Sequence, residues 1–276
     1  MLIHDDASAL SLTPNGRACG DTDFALLFRD EELLLRLDGD RLKLPQYRDV
    51  RALAQTPPAQ CFTLNGVNYF VGWFAGEPAP DGGLAVRSAR IFRAFEPKHD
   101  GYVINLAYHL QAWYRANRFC GACGGALSPS AKERALVCDR CGLTVYPKIA
   151  PAIAVALTDG DRILLARNAQ GTFRHFSLIA GYVEAGETLE QTVHRELMEE
   201  VGLRARNVRY VASQPWGLSQ TLMVGFAAEL DGARAITLQE SELAEARWFA
   251  RDELEPQDDP PSLSFELIER FRRGTL

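Results

Sequence analysis

The sequence lacks any run of about 18 consecutive apolar residues, the length that a membrane-spanning helix requires. Its first residues, Met-Leu-Ile-His-Asp-Asp, lack the basic and apolar regions of a signal peptide. It also lacks a block of lysine or arginine and carries a net charge of −6, so it offers no extended positive surface for nucleic acid. We therefore expect a globular, cytoplasmic protein with no membrane partner.

Apolar residues are plentiful enough for more than one packed core. The chain has 276 residues, of which 47 % are hydrophobic. This length predicts about two domains of roughly 150 residues each. The stretch at 256–261, rich in proline and aspartate, is predicted to be a connector.

Cysteine is scarce, and its spacing favours metal over disulfides. The chain has 6 cysteines, and two of them, Cys19 and Cys61, are predicted to be reduced core residues. The others form two Cys-x-x-Cys pairs separated by fourteen residues: Cys120, Cys123, Cys138 and Cys141. Four thiolates can close a tetrahedron around Zn²⁺ and leave no open position for a substrate, so the predicted site is structural. Four free thiols or disulfides are the alternative.

Residues 1–115 are predicted to form a β-rich domain that ends in a linker helix. Asn65-Gly66 predicts a hairpin, because a type I′ turn needs positive φ at both of its central positions. Apolar residues at helical spacing predict the helix, at 102–117. Further strands are expected at 25–28, 32–37 and 41–44. Because this domain contains no recognisable set of catalytic residues, it is interpreted as a scaffold or dimerisation domain.

Residues 116–147 are predicted to form a zinc ribbon, and residues 148–276 a third domain. In the third domain, strand patterns alternate with two helical patterns, at 188–201 and 262–272. The strands are expected at 149–157, 162–166, 173–178, 208–214, 222–229 and 247–249. This order predicts an α/β sandwich in which a helix packs on a mixed sheet.

The sequence predicts both ends of the helix at 188–201. Thr188 is a plausible N-cap, and Gln191 three positions later completes a capping-box pattern. Gly202 suits a left-handed C-cap.

Three carboxylates recur on one face of this helix. Glu196, Glu199 and Glu200 lie three and four positions apart, where like charges repel by a few tenths of a kcal/mol per pair. A solvated acidic face is the simple interpretation. The alternative is a site for Mg²⁺ or Mn²⁺, which prefer oxygen ligands held on a rigid element. Arg195 could form a salt bridge with a neighbouring carboxylate such as Glu187.

The stretch from Gly181 to Leu203 resembles the Nudix box of the Nudix hydrolase superfamily. It reads Gly, five residues, Glu, seven residues, then Arg-Glu-Leu-Met-Glu-Glu-Val-Gly-Leu. The ribbon before it and Ser213-Gln214-Pro215-Trp216 after it resemble the NADH pyrophosphatase family. That family cleaves NADH, NAD⁺ and, in bacteria, the NAD cap of RNA. The resemblance implies a Nudix α/β/α sandwich and Mg²⁺- or Mn²⁺-dependent hydrolysis of NAD(H) to nicotinamide mononucleotide and AMP.

Carried over position by position, the resemblance implies a set of site residues. The catalytic metal would be held by Glu196, Glu200, Glu242 and the backbone carbonyl of Ala180, with Glu245 as a neighbour easily confused with Glu242. Glu200 is the expected general base, and Glu199 would position water or pair with Arg195. The dinucleotide pocket would be formed by Glu133, Tyr146, Tyr182, Gln214, Pro215, Trp216, Gly217, Leu218, Ser219, Gln220, Thr221, Ser264 and Arg87. Tyr146 would reach in from the partner subunit of a homodimer.

One segment departs from the family pattern. The family reads Ser-Gln-Pro-Trp-Pro-Phe-Pro-x-Ser, whereas this chain has Gly217-Leu218-Ser219 after the tryptophan. Losing two prolines and a phenylalanine predicts a more flexible, less aromatic loop. Hydrolysis of ADP-ribose, nucleotide sugars or dinucleoside polyphosphates is therefore a second hypothesis. A non-enzymatic nucleotide sensor or RNA-binding module is a third.

Overall fold

The computed structural model describes residues 4, 9–13, 16–80, 82–169, 175–256 and 262–276. Contacts divide the chain into two compact units. The first contains the described residues up to Lys148 together with Trp216–Gln220, and the second contains Ile149–Pro215 and Thr221–Leu276. No helix in the described ranges is both long enough and apolar enough to cross a membrane. The division into three domains predicted from the sequence remains a prediction.

The first unit is built on a seven-stranded sheet. Its strands are β1 (Leu10–Ser11), β2 (Phe24–Arg29), β3 (Glu32–Asp38), β4 (Arg41–Lys43), β5 (Ala59–Leu64), β6 (Val67–Trp73) and β7 (Leu84–Ser88). They are ordered β1-β5-β6-β2-β3-β4, with β7 paired to β3. The β2–β6 pair is parallel. Asn65 and Gly66 have φ of 49° and 80°, which confirms the positive φ expected for the turn between β5 and β6.

Two helices and a small second sheet complete the first unit. Helix α1 (Tyr47–Val50) is a single turn, and α2 (Lys98–Ala116) starts four residues earlier than the sequence predicted. The face of α2 that carries Val103, Ala107 and Leu110 packs in the same apolar cluster as residues of β2, β3 and β5. Strands β8 (Leu127–Pro129), β9 (Leu136–Cys138) and β10 (Thr144–Val145) form a separate antiparallel sheet in the ribbon.

The second unit is a sheet covered by a helix on each face. Its elements are β11 (Ala150–Asp159), β12 (Arg162–Asn168), β13 (Ile179–Tyr182), α3 (Leu189–Val201), β14 (Ala205–Trp216), β15 (Thr221–Leu230), β16 (Leu243–Ala250) and α4 (Leu263–Arg273). The strand order is β14-β15-β11-β12-β16, with β13 paired to β11. The sheet is mixed, because β11 runs parallel to β15 and antiparallel to β12 and β13.

Successive side chains of β11 point alternately into the two apolar layers of this unit. Ile153 and Val155 pack in the cluster that contains the buried side of α3. Ala154 and Ala156 face the cluster that contains α4. Since successive side chains of a strand point to opposite faces, one buried strand supports both helices. The predicted α/β sandwich with a mixed sheet is therefore confirmed.

The strand predicted at 173–178 is wrong in position. Residues 173 and 174 lie outside the described ranges, and Ser177 makes only an isolated bridge to Ala166. The strand is instead β13, in which Ala180 pairs with Ala154 of β11. The apolar pattern of the sequence did not predict the limits of β13, because this strand ends inside the glycine-containing turn that leads to α3. The predicted connector at 256–261 also falls mainly outside the described residues.

Candidate active site

Helix α3 begins and ends as its sequence predicts. The Thr188 side chain accepts a hydrogen bond from the Gln191 backbone N–H (3.2 Å), and the Gln191 side chain accepts one from the Thr188 N–H (2.7 Å). Gly202 closes the helix in the left-handed conformation, with φ of 67°. Both ends are therefore fixed by local hydrogen bonds, which makes α3 a rigid support for its acidic face.

Arg195 links the turn before α3 to the carboxylates on the helix. Its Nε donates to Glu187 Oε1 (2.7 Å), which confirms the predicted ion pair. Its Nη1 donates to Glu196 Oε1 (2.8 Å) and Glu199 Oε2 (3.0 Å). Its Nη2 donates to the backbone carbonyl of Tyr182 (2.9 Å). One guanidinium thus orients three acidic side chains relative to β13.

The Glu196 carboxylate lies directly against Gly181 of β13. A Cβ at position 181 would lie 1.9 Å from Glu196 Oε1, so a side chain there would displace the carboxylate. Gly181 therefore leaves the room that the Glu196 carboxylate fills.

Three of the predicted metal ligands line one cavity. This cavity has a volume of about 400 Å³, and Ala180, Glu200 and Glu242 all contribute to its wall. The sequence did not single out the polar residues that also line it, because they come from separate segments with no motif of their own. They are Asn168, His175, Ser177 and Ser241.

The electrostatics of this cavity favour a bound cation. Burial, the negative charges of Glu196 and Glu242, and a hydrogen bond with Glu196 raise the pKa of Glu200 to about 8. Burial also raises the pKa of Glu196, although Arg195 opposes this shift. Carboxylates brought together out of water need a positive partner to be stable in their ionised form. The donor set, all oxygen, suits a hard divalent cation, so these residues fit the metal that the sequence implies.

The structure separates Glu242 from its neighbour Glu245. Glu242 lines the cavity with Glu200. The carboxylate of Glu245 lies 2.7 Å from Arg167 Nη2, across the β12–β16 pair, and is engaged in that salt bridge. Of the two, Glu242 is therefore the one whose position suits a ligand.

The four ribbon cysteines form a compact cluster. Their sulfur atoms all lie within 4.8 Å of one another. Cys120 and Cys141 are 3.7 Å apart at Sγ, and Cys123 and Cys138 are 3.5 Å apart. Zn–S bonds of about 2.3 Å in a tetrahedron would place the sulfurs about 3.8 Å apart, so the observed geometry fits zinc.

The backbone around the cluster favours the ligand form of one thiol. The Cys141 N–H donates to Cys138 Sγ (3.4 Å), and this bond, with another from the Arg140 N–H, lowers the pKa of Cys138 to about 6. The pKa of Cys123 is raised to about 12, although a backbone bond from Gly125 opposes the shift, because hydrogen bonds among the sulfurs stabilise its protonated form. A metal ion that binds the four sulfurs would displace the protons of the thiols, because thiolates are the metal-ligating form.

Two models of known domains match this chain. Residues 148–271 match the NUDIX domain model, and residues 115–146 match the model of the NADH pyrophosphatase zinc ribbon domain. The chain contains a Nudix domain preceded by this zinc ribbon. The matched residues of the Nudix domain include α3 and all of the predicted acidic ligands.

Curated relatives match more than half of the chain. The NAD-capped RNA hydrolase NudC of Salmonella heidelberg (strain SL476) is 45 % identical over 160 residues, which is 58 % of this chain and 62 % of the relative. The protein of the same name from Enterobacter sp. (strain 638) has the same identity and coverage. This chain thus spans 62 % of the length of these relatives. A NUDIX hydrolase structure from Nitrosomonas europaea has a TM-score of 0.48 and 24 % identity, covering 56 % of this chain and 90 % of that one.

Five of the predicted substrate-binding residues belong to the second unit: Tyr182, Gln214, Pro215, Thr221 and Ser264. Tyr182 is 53 % exposed, and its hydroxyl lies 3.1 Å from Thr221 Oγ1. Gln214 is buried, and its Oε1 accepts a hydrogen bond from the Leu263 N–H (2.7 Å), at the start of α4. Ser264 is in the first turn of that helix. Tyr182 is therefore accessible to a ligand, whereas Gln214 supports the start of α4.

The loop after Pro215 is used for packing in the first unit. Trp216 packs edge-on against Phe92, with ring centroids 5.2 Å apart. The Gly217 N–H donates to Asn105 Oδ1 (2.8 Å), and Leu218 packs against the core of the first unit. Packing therefore accounts for the positions of Trp216 and Leu218, and their predicted contact with substrate remains a prediction.

The remaining predicted pocket residues also belong to the first unit. Tyr146 is 57 % exposed, and its hydroxyl donates to Glu133 Oε1 (3.0 Å). Arg87 lies on β7, and its Nη1 donates to the Val86 carbonyl (2.8 Å). Tyr146 and Glu133 are thus brought together, as a joint role in one pocket requires.

Proposed function

We propose that this protein is a hydrolase that uses a divalent cation to cleave the pyrophosphate of NADH or NAD⁺, giving nicotinamide mononucleotide and AMP. The observation that carries the proposal is the cavity lined by Ala180, Glu200 and Glu242, next to a helix whose acidic face Arg195 orients. The relatives named NAD-capped RNA hydrolase and the NADH pyrophosphatase zinc ribbon support a dinucleotide substrate.

In this proposal, Glu196, Glu200, Glu242 and the Ala180 carbonyl hold Mg²⁺ or Mn²⁺. Such ions neutralise phosphate oxygens and make water a better nucleophile at neutral pH. The substrate carries two negative charges on its pyrophosphate, which an acidic cavity would otherwise repel. Arg195 keeps Glu196 in place through its 2.8 Å hydrogen bond. The side chains therefore supply a fixed geometry that needs little rearrangement during the reaction.

Glu200 is proposed to take the proton from the attacking water. A positioned carboxylate base contributes roughly 10²- to 10⁴-fold to the rate. Glu199 is half-exposed and bonded to Arg195, so it is proposed to orient that water or to hold Arg195 in place. Zn²⁺ in the ribbon is proposed to be structural, because its four cysteine ligands leave no position for a substrate.

The nucleotide would be bound by exposed aromatic rings and polar groups. Tyr182 and Tyr146 are proposed to stack on base rings, Tyr146 from the partner subunit of a homodimer. An aromatic pair contributes about 0.5–1.5 kcal/mol beyond burial, so stacking orients the ring more than it drives affinity. The NAD cap of RNA, which carries the same pyrophosphate, is a further proposed substrate. Reduced zinc-ligating thiols are compatible with the proposed cytoplasmic location.

The direct test is product analysis after incubation of the purified chain with NADH and Mn²⁺. From NADH we expect reduced nicotinamide mononucleotide and AMP in equal amounts, and a kcat/KM for NADH above that for ADP-ribose. Glu200→Gln should reduce kcat by at least about 100-fold without lowering the melting temperature. Glu190→Gln, on the exposed face of the same helix, is the matched control and should be active.

Two results would contradict the proposal. Near-normal turnover by Glu200→Gln would remove Glu200 from its role as base. A higher kcat/KM for ADP-ribose would favour the second hypothesis, in which the altered Gly217-Leu218-Ser219 segment accompanies a different substrate.

A further inference from the structure

The cavity described above joins two carboxylates that are far apart in the sequence. Glu200 is on α3, whereas Glu242 lies just before β16. A helix fixes the spacing between Glu196 and Glu200, but nothing in the helix fixes the distance to Glu242. Some other contact must hold the two segments together for the ligands to converge on one ion.

Gln239 makes contacts to both segments. Its backbone N–H donates to the carbonyl of Glu200 (2.9 Å), which is one of the last carbonyls of α3. Its side-chain Nε2 donates to Glu242 Oε1 (3.3 Å). Its own carbonyl accepts from the Glu242 N–H (3.0 Å). A single residue thus bonds to the backbone of one predicted ligand and to the carboxylate of the other.

Backbone hydrogen bonds hold the surrounding segment independently of the Gln239 side chain. The Thr237 N–H donates to the Val201 carbonyl (2.9 Å), and the Ala169 N–H donates to the Glu242 carbonyl (2.8 Å). These bonds anchor the segment to the end of α3 on one side and to the end of β12 on the other. A change of the Gln239 side chain should therefore leave the path of the chain intact.

The chemistry of the amide suits this role. An ionised carboxylate only accepts hydrogen bonds, so the nitrogen of the amide must face Glu242. That bond leaves the other lone pairs of the carboxylate available and adds no charge to the site. An arginine or lysine in its place would compete with a bound cation.

We propose that Gln239 is a positioning residue, which holds the Glu242 carboxylate at a set distance from Glu200 and so completes the ligand set for the divalent cation. This inference rests on the metal-binding part of the proposed function and not on the identity of the substrate. Residues that orient metal ligands through hydrogen bonds typically change metal affinity or activity by about 10- to 100-fold when they are removed.

The test is Mn²⁺ binding to the whole chain, with its ribbon zinc retained and no other divalent cation added, measured from the electron paramagnetic resonance signal of free Mn²⁺. Gln239→Met keeps the length of the side chain and removes the donor, and we expect its Mn²⁺ dissociation constant to rise about tenfold. Gln55→Ala is the matched control, because it removes a glutamine amide that donates to the Phe74 carbonyl in the first unit.

A double-mutant cycle shows whether Gln239 acts through Glu242. In a Glu242→Gln background, adding Gln239→Met should change Mn²⁺ affinity by less than about twofold, because the group that it positions is already lost. The inference is overturned if Gln239→Met binds Mn²⁺ as the wild type does, or if its effect is undiminished in that background. A lower melting temperature of the zinc-loaded, Mn²⁺-free protein with unchanged Mn²⁺ affinity would indicate a purely structural role and would also overturn it. If the wild type binds Mn²⁺ but does not hydrolyse NADH, the proposed function fails while this inference stands.

Discussion

At the scale of single residues, the site depends on a close contact between a glycine and a carboxylate. Gly181 has no side chain, and the Glu196 carboxylate occupies the space where one would be. Arg195 also donates a hydrogen bond to this carboxylate. Glu196 is therefore held against the strand by a guanidinium, and even a methyl group on residue 181 would move it.

Gly181→Ala is expected to weaken Mn²⁺ binding and hydrolysis by at least about tenfold, because its Cβ would lie 1.9 Å from Glu196 Oε1. Mn²⁺ titration and NADH turnover measure the two effects. Gly121→Ala, whose Cβ would have no heavy atom within 4 Å, is the control. Unchanged Mn²⁺ affinity in Gly181→Ala would show that Glu196 does not contribute to the metal site.

The Glu187 carboxyl predicts an acid dependence of stability. Hydrogen bonds from Arg195, from the Glu184 backbone N–H and from Thr192 lower the pKa of Glu187 to about 2. Because the folded state binds this proton less readily than the unfolded chain, the stabilisation is present above the unfolded pKa of about 4.5 and is lost as the pH falls toward 2.

Glu187→Gln should therefore be less stable than the wild type at neutral pH, and the difference should shrink between pH 5 and pH 2 (roughly the span between the two pKa values). Urea unfolding followed by circular dichroism at a series of pH values measures this. A difference in unfolding free energy that stays constant across this range would show that the Glu187 carboxylate does not carry the effect.

At the scale of elements, α3 has two well-capped ends and one face that carries like charges. Its capping box and its left-handed glycine hold both ends, while Val193, Leu197 and Val201 bury its other side. Tertiary packing and capping together offset the repulsion among its carboxylates. The helix can therefore present a functional face that its own sequence would disfavour in isolation.

Thr188→Ala removes the side chain that caps α3 and is expected to lower the unfolding free energy by about 1 kcal/mol. Mn²⁺ affinity should change little, because packing against the sheet still holds the helix. Chemical denaturation and Mn²⁺ titration on the same preparation separate the two effects. An unchanged unfolding free energy would mean that the Thr188–Gln191 hydrogen bonds add nothing beyond what solvent provides.

At the scale of the whole molecule, the chain is organised as two units with separate means of stabilisation. The second unit has two apolar layers around a mixed sheet. In the first unit, the ribbon has only the short strands β8, β9 and β10. So small a segment buries little apolar surface, and a bound metal is a common substitute for a core.

Loss of zinc is expected to unfold the ribbon while the Nudix domain remains folded. Cys138→Ser should lose the single zinc ion expected per chain and become sensitive to limited proteolysis within residues 116–147. Cys19→Ser removes a thiol outside the cluster and should retain its zinc. Elemental analysis and mass spectrometry of the digest are the measurements. Full zinc content in Cys138→Ser would contradict the four-thiolate site.

Local features could be predicted from the sequence because neighbouring residues determine them. The capping box of α3, the turn at Asn65-Gly66 and the pairing of Arg195 with Glu187 all involve residues within about one to three helical turns of one another. The boundary of β13 was less predictable, because pairing with β11 decides where that strand begins.

The amino-acid sequence by itself determined the zinc-binding cysteine pattern, the acidic helix with both of its ends, and the α/β class, because each is encoded by residues at short fixed spacings. Only the tertiary structure decided that Glu245 pairs with Arg167, that Gln239 joins the two segments, and that Trp216 packs in the first unit. These contacts form between segments whose separation along the chain carries no periodic signal, so they exist only once the sheet has brought those segments together.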